Sequence, residues 1–285
     1  MKTIAFYKPI FGAVALAFVA TIHPASASVI SPVQTSADPL KLPVAAPVQM
    51  AGSDAAATQF MQALPAISSY IKQTLPEYTA LNSSTLAAMA LDPNTLRLAA
   101  NSSVRAYFIS EGAAYHNALG FNTFAAGAAV PTASTPGVTA DAKLIFPDAS
   151  SSDPTTLNPG GLSIRTANEP LLKGDFVDMG TFSAGTLLDF FLLPNAANTP
   201  LTDEAARNSD KLQHMVTFSA AGSNYLVISY EDAVGGGDKD YNDMIFALQF
   251  TTMAPEPKTW AGLALFGFVV VFQSLRRPAS QVGLA

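Results

Sequence analysis

The feature that most constrains this chain is a short acidic stretch enclosed by two strand-like runs. Asn224-Tyr225-Leu226-Val227-Ile228-Ser229-Tyr230 and Met244-Ile245-Phe246-Ala247-Leu248-Gln249-Phe250 are brief and rich in β-branched and aromatic residues, which predicts strand, loop, strand. The intervening loop crowds five carboxylates (Glu231, Asp232, Asp238, Asp240, Asp243) and the amide of Asn242 around one basic side chain, Lys239. Like charges this close raise each other's pKa unless something positive sits among them. A hard cation such as Ca²⁺, which takes about six to eight oxygen ligands, would relieve that repulsion. Asp238, Asp240 and Asn242 alternate, so a tightly wound loop would aim them at one centre, and Gly235, Gly236 and Gly237 permit the positive φ values such winding needs. The spacing is not that of an EF-hand: counted from Asp238, the glycine position is Asp243 and the bidentate-glutamate position is Gln249. The same residue types also build ordinary acidic turns, so spacing alone leaves a cation site and a solvated hairpin turn both open.

Upstream, Val104–Ile109, Lys143–Phe146, Phe176–Gly180, Leu187–Leu193 and His214–Phe218 read as further short strands, with Glu111–Gly120 as a glycine-bounded loop. Short strands separated by Gly, Pro and Asn turns predict a mainly β domain over 101–252, an antiparallel β-sandwich of jelly-roll-like form, with a partly open barrel as the alternative. Residues 28–100 read as a Pro/Ala-rich spacer with short helices. Pro32, Pro39, Pro43 and Pro47 mark Ser28–Met50 as extended. Phe60, Met61, Leu64, Ile67, Tyr70, Ile71 and Leu75 recur at roughly helical spacing, which Pro65 and Pro76 are expected to interrupt or end. A second helix is expected around Thr85–Leu91.

Both termini carry apolar runs. Lys2 and Lys8 flank or precede Ile10–Ala20, and Ala25-Ser26-Ala27 supplies small residues, so 1–27 reads as a signal peptide cleaved after Ala27, with Ala25 and Ala27 as the recognition pair. Trp260–Leu275 is apolar and closed by Arg276-Arg277. It is shorter than the ~20 residues that span a bilayer comfortably, which suits a buried helix. Its position and arginine pair instead suit a transmembrane helix with a cytoplasmic C-terminus. Pro255-Glu256-Pro257, the apolar segment and the Arg276/Arg277 pair, in that order, resemble the PEP-CTERM sorting signal, here over 253–285. That resemblance implies export, with the leader removed by signal peptidase, membrane anchoring through segment 260–275, processing by an exosortase-type enzyme, and a final address at the cell surface or in the exopolysaccharide matrix.

Charge and cysteine content narrow the function. Residues 28–257 hold ten bases against twenty-one acids, a formal charge of −11. Such a surface repels nucleic acid and anionic lipid and tolerates divalent cations. Cysteine is absent, which removes disulfides and thiolate nucleophiles, and because residues 28–257 hold two distant histidines, His116 and His214, zinc lacks its usual ligands. A secreted carbohydrate-active hydrolase would need a carboxylate pair such as Glu231 with Asp238 or Asp240 held apart in a cleft. No Gly-x-Ser-x-Gly elbow supports a serine nucleophile, and His214, between apolar neighbours, reads as a packed histidine.

The block from Val104 to Phe250 resembles a domain family of unknown function found in secreted bacterial proteins. The matching residues are Glu111-Gly112-Ala113 to Asn117-Ala118-Leu119-Gly120, Phe146–Ser150, Gly180-x-Phe182-x-Ala184-Gly185, and Tyr230-Glu231-Asp232 to Gly236-Gly237-Asp238-x-Asp240-Tyr241-Asn242-Asp243. The resemblance implies a calcium-associated exterior β-domain without assigned reaction, with Glu231, Asp232, Asp238, Asp240, Asn242 and Asp243 as metal ligands and no catalytic residues. Glu111 could complete the set or bond within its own turn. The expected partners are extracellular polysaccharide or a second copy, with Tyr115, Tyr225 or Tyr241 as surfaces for a sugar ring.

Overall fold

The computed structural model describes residues 34, 40–90, 96–112, 115–151, 165, 170–219 and 223–252. The expected signal peptide with Ala25 and Ala27, the Pro255, Glu256 and Pro257 triplet, segment 260–275 and the Arg276/Arg277 pair lie outside the described residues. Among the described residues, no helix is long and apolar enough to cross a membrane.

Among the described residues two α-helices precede nine strands: α1 (Ala55–Thr74), α2 (Ser83–Met89), β1 (Ser102–Glu111), β2 (Ala118–Phe124), β3 (Lys143–Phe146), β4 (Phe176–Phe182), β5 (Leu187–Leu193), β6 (Leu201–Thr202), β7 (Met215–Ser219), β8 (Tyr225–Tyr230) and β9 (Met244–Thr252). They form two antiparallel sheets, of order β4-β1-β9-β8-β7 and β3-β2-β5-β6. The alternation of side chains along each strand explains the layering. Val104, Ala106 and Phe108 of β1 and Met244, Phe246 and Leu248 of β9 meet Leu119 and Phe121 of β2 and Leu188, Phe190 and Leu192 of β5 between the sheets. The intervening residues Tyr107, Ile109, Ile245 and Ala247 face the opposite way and are covered by α1. Because both faces are buried, these strands are near-continuous apolar runs rather than alternating ones.

The helix runs straight through Pro65, correcting the expected interruption. Its N-terminus is capped by Asp54, whose carboxylate accepts from the Ala57 N–H at 2.7 Å. Pro65 sits on the exposed side, and its cost of about 3 kcal/mol is outweighed by burial of Phe60, Leu64, Ile67 and Ile71 at about 1.5–3 kcal/mol each. Phe60 is the anchor: its ring stacks on Tyr107 at 4.0 Å and meets Tyr225 edge-on at 5.1 Å. Phe60→Ala is expected to cost about 3–5 kcal/mol, read as a lower urea midpoint with a single cooperative transition.

Segment 40–50 is extended, as expected, but it is packed rather than a free spacer. It lies along an outer strand of each sheet: Ala45 N–H donates to Leu144 O at 2.8 Å, and Gln49 N–H to Phe176 O at 2.8 Å. Val48 beneath is only 1% exposed. Covering β3 and β4 in this way protects edges that would otherwise invite pairing with other chains. Two strands escape the sequence pattern: the two-residue β6, and β2, whose first residues fall in the expected loop Glu111–Gly120. Gly120 lowers its strand propensity yet is required there, since a Cβ would strike the Phe191 ring of neighbouring β5.

Candidate functional site

The acidic loop is the connection between β8 and β9. Tyr230 and Met244 are register partners, so the whole of 231–243 projects beyond the sheet. Several bonds hold its shape. Asp243 N–H donates to Tyr230 O at 3.1 Å, Leu81 N–H to Lys239 O at 2.9 Å, and the Tyr241 hydroxyl to Gln213 O at 2.9 Å, while the Ser229 hydroxyl donates to Tyr241 O. The winding expected from the glycines is present: Gly235, Gly236 and Gly237 have φ of 95°, 84° and 37°, and Lys239 and Tyr241 follow at 64° and 59°. Left-handed backbone costs a non-glycine residue roughly 1–2 kcal/mol, so this curl is held against local preference. Gly237 is needed for a second reason, because a Cβ would collide with the Glu231 carboxylate.

The curl brings Glu231, Asp238 and Asp240 together, with carboxylate oxygens all within 4.8 Å of one another. Glu231 and Asp240 are each 1% exposed, while Asp238 lies at the surface. Glu231 Oε2 accepts from Lys239 N–H at 3.0 Å, and Asp240 accepts from Tyr78 N–H at 2.8 Å and Asn242 N–H at 3.2 Å. Those bonds do not neutralise the cluster. Burial, reinforced by Asp238 and Asp240, lifts the Glu231 carboxyl above its ordinary range, and burial with the Asp238 charge lifts Asp240. Glu77, from the segment after α1, is lifted by burial and then by Asp240 and Asp238, and accepts from the Asn242 amide at 3.2 Å. The sequence pattern offered no pointer to Glu77, since it lies more than 150 residues upstream in a segment read as spacer.

The other expected ligands surround this cluster and carry bonds of their own. Adjacent residues of extended chain face opposite ways, and Asp232 points from Glu231 toward Asn117, whose amide donates to it at 2.7 Å. Asp243 accepts from Asp232 N–H at 3.0 Å. The Asn242 amide donates to Glu77 at 3.2 Å and also lies against Asp240. Glu111 accepts from Ser151 N–H at 3.2 Å, a bond across loops rather than within its own turn. Burial and the neighbouring Asp232 charge push Asp243 up to about 8, and burial raises Asp232 as well.

This second group gives a pH signature. A carboxyl whose folded pKa is raised binds its proton more tightly in the folded state, so it lowers stability as pH rises from its unfolded value toward the folded one. In EGTA, the unfolding temperature is therefore expected to fall between pH 5 and pH 8. Asp243→Asn, which keeps an acceptor for Asp232 N–H, should flatten that fall and raise stability at pH 8. Thermal melts across the pH range check both.

His214 is buried and pinned, with Nε2 2.8 Å from Asp210 Oδ2 and Nδ1 2.9 Å from Glu231 O. Burial opposes it, but the Gly235 and Leu212 N–H groups and His214 together pull Asp210 down to about 2. At His116, Ser150 Oγ and Asp148 Oδ2 both approach the same nitrogen, Nδ1, at 3.0 and 3.4 Å. A relay needs the base and its orienting acid on different ring nitrogens, so this is not a nucleophilic triad. Tyr225 and Tyr241 are 7% and 3% exposed and present no stacking surface, whereas Tyr115 is 43% exposed.

Comparison with known proteins finds a family match over part of the chain. Neither the curated proteins nor the solved structures include a significant match to the chain. Residues 182–251, running from the end of β4 through the acidic loop to β9, match the family described as a domain of unknown function, DUF4114.

Proposed function

We propose that this is an exported, non-enzymatic protein of the cell envelope or exopolysaccharide matrix, whose acidic loop binds Ca²⁺. The observation that carries the cation reading is the convergence of Glu231, Asp238 and Asp240 within 4.8 Å, in a loop wound against backbone preference. Oxygen-only donors suit a hard cation, and the fit is supported by carboxyls that burial and mutual repulsion hold above their ordinary range. Glu231, Asp238 and Asp240 would hold the ion, with Glu77 nearby. Its charge would offset their repulsion and tie the β8–β9 loop to the segment following α1. No specific observation favours the carbohydrate-hydrolase alternative. The carboxylates sit too close for the water-activating pair of an inverting enzyme, about 6.5–9.5 Å apart, and the adjoining cleft beside Glu77 and Asn242, about 30 Å³, has room for roughly one water and none for the sugar that a retaining pair would have to attack.

Calorimetric titration of EGTA-stripped protein with CaCl₂ tests the cation reading directly. Saturable binding that Asp238→Ala/Asp240→Ala removes supports it, and absence of heat overturns it. The export reading rests on the terminal motifs. In a native exporting host, wild type is expected at the surface or in the medium without its C-terminal tail. Pro255→Ala/Glu256→Ala/Pro257→Ala should retain the tail in the membrane fraction. Identical fractionation and mass for both chains overturns sorting through this motif.

A further inference from the structure

At the end of the sandwich opposite the acidic loop, a groove of about 500 Å³ opens between the two sheets. The register fixes its place: Phe182 and Thr181 pair with Ser102 and Ser103 at the start of β1, whereas Met244, where the acidic loop ends, pairs with Glu111 at the end of β1. The half-buried rings of Phe124 and Phe182 lie in its wall. Phe182 is braced edge-on by buried Phe121 at 6.0 Å. Around them stand Thr123, Asp141, Lys143 and Ser183. The last three are exposed, and among the described residues none of the four side chains makes a hydrogen bond or ion pair. Pockets of about 300–1,000 Å³ with aromatic walls and a few convergent polar groups are the usual form of small-ligand sites.

We propose that this groove binds a neutral oligosaccharide. Sugar rings present apolar C–H faces that pack on aromatic rings and equatorial hydroxyls that both donate and accept. The groove offers that combination: two ring surfaces beside unspent hydroxyl, carboxylate and ammonium groups. Neutrality follows from charge. Lys143 and Asp141 cancel locally, and the −11 formal charge of residues 28–257 repels polyanions. The inference is independent of the cation reading, because the two sites lie at opposite ends of β1.

The test is isothermal titration of the full chain, kept in a non-glycosidic detergent, with cellohexaose, maltohexaose and mannohexaose. At least one is expected to bind saturably at millimolar concentration or below, with the same affinity in Ca²⁺ and in EGTA. Asp141→Ala/Lys143→Ala, at exposed positions, should weaken binding at least tenfold. Ser183→Trp should fill the groove and abolish it, while Lys72→Ala on α1 leaves it unchanged. Unaltered thermal melts of the variants show that the fold is intact. Absence of binding to all three sugars, or binding indifferent to both groove variants, overturns the proposal.

Discussion

Millimolar Ca²⁺ added to EGTA-stripped protein is expected to raise its unfolding temperature by about 5–10 °C. A ligand at a hundred times its dissociation constant adds about 2.7 kcal/mol, and domains of this size shift by roughly 2–4 °C per kcal/mol. Asp238→Ala/Asp240→Ala should lose the response, and its metal-free stability should equal or exceed that of wild type, because mutual repulsion among Glu231, Asp238 and Asp240 disappears. Glu77→Gln should reduce the calcium shift only in part. A bound ion would also reinforce the link between two segments that Tyr78 N–H and the Asn242 amide already make by bonding Asp240 and Glu77 respectively. Proteolysis between Pro76 and Leu81 is therefore expected to be faster in EGTA than in Ca²⁺. Identical melts in both conditions would reduce the loop to an acidic turn, leaving the sandwich intact and the cation reading withdrawn.

A single-residue effect as large as that of Phe60→Ala is expected at Arg207. Its side chain is 1% exposed and bonds both oxygens of Asp189 at 2.7 and 3.0 Å, and Asp203 at 3.3 Å. Asn122 adds a 2.7 Å bond to Asp189. Two buried acids share one guanidinium, and burial together with the Asp189 charge pushes Asp203 up to about 8, Arg207 pulling the other way. Removing the cation strands both acids in a medium that solvates charge poorly. Arg207→Ala is expected to cost about 3–5 kcal/mol, a fall of roughly 6–20 °C in unfolding temperature. Replacing all three groups, as Asp189→Leu/Asp203→Leu/Arg207→Met, should recover most of that loss, since apolar residues avoid the desolvation penalty altogether. A triple variant no more stable than Arg207→Ala would show that the network's geometry, rather than its charge balance, holds this part of the chain.

Legibility in the sequence followed the range of the interactions. Strands β1, β3, β4, β5, β7, β8 and β9 announced themselves through β-branched, leucine and aromatic residues, most plainly in β5, where burial of both faces leaves the run Leu187–Leu193. The loop's winding was readable from three consecutive glycines, each with positive φ. Strand β2 was concealed because its glycine answers to the Phe191 ring of another strand, a requirement with no local trace. Pro65 was read by its local cost alone, while the outcome was set by apolar contacts with a sheet formed far along the chain.

The site divides in the same way. Local composition alone determined that carboxylates crowd the β8–β9 connection, and that repulsion among them needs an answer. Which of them converge was decided only by tertiary structure. Chain direction turns Asp232 away from Glu231 toward Asn117, the left-handed turns at Lys239 and Tyr241 bring Asp238 and Asp240 toward Glu231, and docking of α1 delivers Glu77 from a remote segment. Spacing along a chain specifies which groups are available. Their distances in space depend on backbone dihedrals and long-range packing, which are properties of the whole fold.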